Sequence, residues 1–217
     1  MIAMILAAGR GERLRPLTEA IPKALVEVQG RSLLERHLDR LAEAGIETVV
    51  INLGWLGEQI VERVGSGHEY GLTVIYSPEG DDILETGGGI HRALPLLGNE
   101  AFLVVNADVY TDMPVPSVTV AEEDVAHLFL VPTPQYKAHG DFDLREGRVI
   151  VNENPGLTFS GVALYDPRFF SECEPGRFPL APMLKQAANA GRVGGSIYEG
   201  LWEDVGTPER LAELNRT

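Results

Sequence analysis

Along the first hundred residues, short apolar runs alternate with stretches whose apolar positions recur every three or four residues. Met1 to Ala8 is continuously apolar, too short for a typical helix and ended by Gly9; it predicts a buried strand, with Gly9 to Lys23 as a long loop behind it. From Ser32 to Ala44, the residues Leu33, Leu34, Leu38, Leu41 and Ala42 fall on one helical face. Ser32 and Glu35 there have capping-box spacing, and Gly45 supplies the stop. "TVVIN" (48–52) predicts a strand, "WLGEQIVERV" (55–64) a helix, and "LTVIYS" (72–77) a strand ending at Pro78. "TGGGIHRALPLLG" (86–98) reads as a glycine-entered helix and "AFLVVNAD" (101–108) as another short strand. Residues 1–108 thus alternate β and α, which implies an α/β fold: a largely parallel sheet covered by helices on both faces.

After residue 110 the pattern changes. "VAHLFLV" (125–131), "RVIV" (148–151) and "TFSGVALY" (158–165) are strand-like and joined by segments rich in Pro and Gly. "LAPMLKQAANAG" (180–191) predicts a helix with Pro182 in its first turn, "SIYEG" and "LWEDV" predict short strands, and Thr207 with Pro208 predicts a capped final helix. The expected organisation is one domain over 1–217. Residues 1–112 form its nucleotide half, and 113–217 an addition to the same sheet that carries substrate contacts. No internal repeat of the β-helix kind is visible.

Composition narrows the function classes. The 217 residues carry a formal net charge of −14, which opposes a broad electrostatic grip on nucleic acid or on an anionic membrane. Cys173 is the sole cysteine, so no internal disulfide is possible and no zinc site rests on thiolates. The apolar N-terminus lacks a preceding basic region and stops at Gly9, unlike a signal peptide, and no stretch approaches membrane-spanning length. A cytoplasmic protein is the expectation.

Against that acidic background, residues 1–23 hold Arg10, Arg13, Arg15 and Lys23 against only Glu12 and Glu19. The basic cluster surrounds Gly9 and Gly11 directly after the first buried strand, where ligands of open α/β sheets collect. A dinucleotide fingerprint requires a third glycine where Leu14 stands, and a P-loop requires a Gly-Lys pair that is missing here. A loop whose backbone N–H groups wrap phosphates, with Arg13 and Lys23 as cations, fits better.

"LAAGRGERLRPLTEAIPKAL" (6–25) resembles the signature L-A-A-G-x-G-x-R-x-x-P-L-T-x-x-x-P-K of the sugar-1-phosphate nucleotidylyltransferases, with every defined position filled. Within that superfamily, "YSPEGDDILETGGGIHRALPLLG" (76–98), "NADVYTD" (106–112), "HGDF" (139–142), "LTFSGV" (157–162) and "WEDVGTPERL" (202–211) resemble the N-acetylmuramate α-1-phosphate uridylyltransferases of cell-wall recycling. The resemblance implies a Rossmann-like nucleotidyltransferase fold, UTP and a sugar 1-phosphate as substrates, and Mg²⁺. It implies nucleotide contacts at Ala8, Gly9, Gly11, Glu12, Arg13, Lys23, Glu79 and Gly88, with Arg13 and Lys23 catalytic, and metal ligands at Asp108 and Asp204. Asn106, Asp141 and Glu153 are implied for the sugar. Many relatives carry Glu-Lys-Pro where this chain has Glu153-Asn154-Pro155, which leaves the sugar's anionic groups to other cations, such as Lys137 or Arg92.

Spacing by itself does not bring Asp108 and Asp204 together, since ninety-six residues separate them. Asp112, before Pro114, suits a turn, while Asp81, Asp82 and Glu85 beside the glycine run stay unassigned. His91, His127, Trp55 and Trp202 are adequately explained by packing. Competing substrate pairs are mannose 1-phosphate with GTP and glucose 1-phosphate with dTTP or UTP. Many such relatives have a C-terminal β-helix, which the end of this sequence after "GTPERLAELN" disfavours. A non-catalytic nucleotide-sugar sensor is a reading from a different class; it would be expected to lose Arg13, Lys23 or an aspartate.

Overall fold

In the computed structural model, which describes residues 1–80 and 84–216, the first half runs β1 (Ala3–Leu6), α1 (Leu17–Ala20), β2 (Glu27–Val28), β3 (Arg31–Ser32), α2 (Leu33–Glu43), β4 (Thr48–Leu53), α3 (Gly57–Val64), β5 (Thr73–Pro78), α4 (Glu85–Leu97), β6 (Phe102–Asn106) and β7 (Val109–Thr111). The second half runs β8 (Ala126–Pro132), β9 (Asp143–Arg145), β10 (Arg148–Ile150), β11 (Leu157–Tyr165), α5 (Leu180–Asn189), β12 (Val193–Ile197), β13 (Trp202–Asp204) and α6 (Pro208–Leu214). Asp81 and Asp82 lie outside the described residues.

A nine-stranded sheet organises these elements in the order β5-β4-β1-β6-β11-β8-β12-β10-β9. β5, β4, β1 and β6 are mutually parallel. β11 runs antiparallel to both β6 and β8, β12 is parallel to β8, and β10 is antiparallel to β12 and β9. Only β10 and β11 therefore oppose the common direction. The continuous apolar runs of the first half are explained by burial on both faces. Ala3 and Ile5 join a core with Leu34, Leu38 and Leu41 of α2 and Ile60 and Val64 of α3. Met4 points the other way, into a core with Ile90, Ala93 and Leu97 of α4 and Leu180 and Leu184 of α5.

The local signals of the sequence act as expected at several ends. The Ser32 hydroxyl accepts from Glu35 N (3.2 Å), and the Glu35 carboxylate accepts from Ser32 N (3.2 Å). Thr207 caps α6 with Pro208 at its first position. Elsewhere the boundaries differ. The loop 9–23 contains the short helix α1. The second predicted helix starts at Gly57 rather than Trp55, because Leu56 has a left-handed backbone (φ 53°). The strand expected at "SIYEG" begins earlier, at Val193, and takes in two glycines. A Cβ on Gly195 would lie 2.8 Å from side-chain carbons of Leu144 and Val149, so close packing favours glycine there.

α2 also supports the end of β6 from below. His37 is fully buried, with its ring against the main chain of Asn106 and Val109. Burial, with the Arg40 charge adding to it, pushes the His37 imidazole down to about 3. An unfolded chain binds that proton near pH 6.5 and the folded chain refuses it until about pH 3, so stability is complete above pH 6.5 and declines on acidification below it. The urea midpoint of the wild type should fall between pH 7 and pH 5, and His37→Gln should show a shallower fall. Equal slopes in the two proteins would remove His37 as the cause.

Candidate active site

A cleft of about 210 Å³ opens at the carboxyl ends of β1, β4 and β6, and its lining includes Ala8, Gly9, Lys23, Asn52, Glu79, Asn106 and Asp108. This is where open α/β sheets hold their ligands. The loop after β1 forms one wall. Gly11 has φ 62°, and a Cβ there would fall 2.9 Å from the Thr18 methyl and 3.0 Å from Lys23 Cβ, so glycine is needed for both conformation and space. The Thr18 hydroxyl donates to Gly11 O (2.8 Å). Trp55 fastens the loop from outside: its backbone N–H donates to Ala8 O (3.3 Å) and its indole Nε1 to Thr18 O (2.9 Å). Packing alone is thus an incomplete account of Trp55. Arg10 lies over the same ring, 5.6 Å from its centroid.

Glu79 sits at the cleft wall in a buried network. Ala7 N donates to Asn52 Oδ1 (2.7 Å), Asn52 Nδ2 donates to Glu79 Oε1 (2.6 Å), and Leu84 N donates to Glu79 Oε2 (2.8 Å). The network ties β1, β4 and the entry to α4 into one frame. Asn52 is absent from the residues singled out by sequence, since inside an apolar strand it carries no motif. Gly88 is placed differently from Glu79. Its N–H donates to Phe178 O (3.1 Å), and a Cβ would strike the Gly176 carbonyl, so its glycine is explained by packing against segment 176–178; Glu85 and Thr86 form the adjacent cleft wall. Glu12 is exposed and lies 3.8 Å from Arg15. Glu85 lies 2.9 Å from exposed Arg177.

The two aspartates meet. Asp108 stands in the turn just past β6, rather than within the strand, and β7 leaves that turn to pair antiparallel with β13, placing Asp204 opposite Val109. Val205 N donates to Asp108 O (3.0 Å). The Lys23 ammonium bonds Asp108 Oδ2 and lies 3.9 Å from Asp204 Oδ1. Asp204 Oδ2 faces Arg210 (3.0 Å) and Arg13 (3.7 Å). Asp204 Oδ1 is buried and has no hydrogen-bond partner.

Beyond Asn106, the last residue of β6, the opposing strand carries a bulge between Phe159 and Ala163. Gly161 there has φ 79°, and a Cβ on it would lie 2.7 Å from Asn106 Nδ2, so the bulge leaves Asn106 its room. Trp202 Nε1 donates to Ser160 O (2.8 Å) across this bulge. Asp141 accepts from Phe159 N (3.0 Å) and lies 3.7 Å from Lys137. Glu153 is exposed in the bend before β11 and takes part in no hydrogen bond or ion pair among the described residues. The Asp112 carboxylate accepts from the Tyr198 hydroxyl, in keeping with a turn role.

Residues 3–128 match the family model of the MobA-like NTP transferase domain. The chain is 48% identical to the N-acetylmuramate α-1-phosphate uridylyltransferase of Neisseria meningitidis, over 98% of this chain and 96% of that one. It is 37% identical to the protein of the same name from Caulobacter vibrioides, covering 98% and 97%. In fold it is similar to a crystal structure of a candidate glucose-1-phosphate thymidylyltransferase from Bacillus anthracis, with TM-score 0.85, 21% identity, and coverage of 100% and 94%. The chain is a sugar-1-phosphate nucleotidylyltransferase.

For a nucleotidylyltransferase, the donor set at Asp108 and Asp204 suits Mg²⁺, a hard cation that takes one or two carboxylates and completes its shell with water and substrate phosphate. The buried, unpartnered Oδ1 of Asp204 is the observation that fits. Among the described residues no cluster of three or more His, Cys, Asp or Glu side chains offers an all-protein metal cage. No helix among them is long and apolar enough to cross a membrane.

Gly206 secures this geometry by having no side chain. A Cβ on it would stand 2.9 Å from Arg13 Nη2 and 3.0 Å from Asp204 Oδ1. Gly206→Ala should push both groups aside and lower turnover by about tenfold to a hundredfold with little change in melting temperature, as small displacements in a preorganised site do. Steady-state rates and a thermal melt check this; an unchanged rate would mean the carboxylate position is not critical.

Proposed function

We propose that this nucleotidylyltransferase joins UTP to N-acetylmuramate α-1-phosphate, giving UDP-N-acetylmuramate and pyrophosphate. The observation that carries the reaction is the meeting of Asp108 and Asp204 across Lys23 at the end of the cleft. The near full-length likeness to two uridylyltransferases of that name supports the choice of substrates. We place the reaction in the cytoplasm, where nucleoside triphosphates are supplied.

A non-bridging oxygen of the sugar phosphate bonds to the α-phosphorus of UTP, while the bond from that phosphorus to the β-phosphate bridging oxygen breaks and its electron pair leaves with pyrophosphate. The nucleophile is ionised at neutral pH, so no proton need be removed and no general base is required. Catalysis is alignment and charge neutralisation, as in phosphoryl transfer generally. Backbone N–H groups of Gly9 to Gly11 approach the triphosphate, and Lys23 and Arg13 stabilise the charge that develops on the leaving pyrophosphate. Ala8 and Glu79, with the α4 entry near Gly88, hold the base, and Glu12 lies at the outer rim. Asp108 and Asp204 would hold Mg²⁺, which supplies charge screening at the α-phosphate. Asn106, Asp141 and Glu153 are assigned to the sugar, and Lys137, beside Asp141, to its lactyl carboxylate. In this reading residues 1–112 serve chiefly the nucleotide and 113–217 chiefly the sugar, with Asn106 and Asp204 crossing that division.

Pyrophosphate release with Mg²⁺ should be measured across a grid of nucleoside triphosphates against the 1-phosphates of N-acetylmuramate, glucose, mannose and N-acetylglucosamine. The expected outcome is release confined to UTP with the muramate ester. Release with another pair instead would reject the substrate assignment.

A further inference from the structure

Asp204 is held by a residue that the motif reading passed over. Arg210 lies in the first turn of α6, after the cap Thr207, where the helix dipole disfavours a cation. The side chain turns back toward β13. One nitrogen, Nη1, donates both to the main-chain carbonyl of Asp204 (2.7 Å) and to its Oδ2 (3.0 Å). Bonds to the backbone and the carboxylate of the same residue fix the carboxylate against its own main chain. Both side chains are largely shielded, with 17% and 19% exposure, so the pair is less screened than a surface bridge.

Arg210 is itself held. Its guanidinium carbon lies 4.2 Å from the ring centroid of Tyr136, a cation–π contact. Tyr136 belongs to the connection from β8 to β9, which also carries Lys137 and Asp141. Arg13, the other guanidinium near Asp204, is mostly exposed at 63% and 3.7 Å away, and no hydrogen bond ties it to this carboxylate. With Oδ2 engaged by Arg210, Oδ1 is the oxygen turned toward Lys23, buried and unpartnered.

We propose that Arg210, braced by Tyr136, is a positioning residue that orients the Asp204 carboxylate for the divalent cation and couples it to the sugar-side loop. This rests on the reading that Asp108 and Asp204 hold that cation. Arg210 touches no reacting atom in this scheme and acts through Asp204, as outer-shell partners of metal ligands do.

The test is Mn²⁺ binding to the full-length protein, read from the electron paramagnetic resonance signal of the free ion, with Asp204→Asn as the reference. Arg210→Met should weaken Mn²⁺ binding by about tenfold or more, Tyr136→Leu should weaken it less in the same direction, and Arg210→Lys should recover part of the loss. In the Asp204→Asn background, Arg210→Met should add little, since the two act as a unit. The Mg²⁺ activation midpoint should rise by a similar factor with the KM for UTP little changed. Unchanged or tighter Mn²⁺ binding in Arg210→Met, alongside weakened binding in Asp204→Asn, would overturn the proposal. So would a lowered melting temperature without a change in Mn²⁺ affinity, which would make Arg210 only an anchor for α6. Should Arg210→Met not fold, Arg210→Lys and Tyr136→Leu decide by the same comparison. Mn²⁺ binding indifferent to Asp204→Asn would instead reject the metal assignment itself, and the role of Arg210 with it.

Discussion

The ammonium of Lys23, set between two carboxylates, is the interaction on which the arrangement of the site depends. Asp108 comes from the middle of the chain and Asp204 from near its C-terminal end, and two carboxylates drawn toward one point repel unless a cation stands between them. Lys23 supplies that charge from the loop after β1. The β7–β13 ladder and the bond from Val205 N to Asp108 O hold the two acidic segments in register. Three segments remote in sequence thereby converge at the open end of the parallel strands. The same point is where a divalent cation and a triphosphate have complementary chemistry.

An acidic chain of net charge −14 can bind a polyanion only through local exceptions. Here they are concentrated: Arg13, Lys23 and Arg210 gather around Asp204, and Arg10 lies just outside, on Trp55. The cations are set against carboxylates rather than spread over a face. That arrangement suits the proposed ligand, which brings both phosphate and metal, better than an extended anion such as nucleic acid. The frame around it is rigid for separate reasons. The Asn52–Glu79 network joins three elements beneath the cleft, Trp55 fastens the glycine loop, and buried His37 underlies the turn that carries Asp108.

Much of the fold was legible because burial on both faces leaves a simple signature. β1 is apolar throughout and the middles of β4 and β6 are, and α2 announces itself by its periodicity and its capping box. The elements that escaped are those whose existence depends on partners. β7 has three residues directly after a turn and forms only because β13 lies opposite it. β12 contains two glycines, of which Gly195 makes sense only beside Leu144 and Val149. At the site, the glycine loop, Lys23 and the aspartates could be read because their types and order follow a long family signature. Asn52, Trp55 and Arg210 could not, since each looks ordinary in its own segment: a polar residue in a strand, an aromatic before a helix, a charge on a helix surface. Their roles lie in bonds across 45, 37 and 6 residues. Gly88 marks the converse: a position quoted for the family resemblance whose glycine is required by the close approach of a neighbouring segment.

The most direct test of this account is the turnover of Lys23→Ala, with UTP binding and the melting temperature measured on the same preparation. In the proposed reaction Lys23 serves the leaving pyrophosphate, and it stands between the two carboxylates. Its loss should therefore lower turnover by about two to three orders of magnitude, as removal of one preorganised charge contact does, in a protein that stays folded and still binds UTP. Near-normal turnover in that variant would contradict the account at its centre.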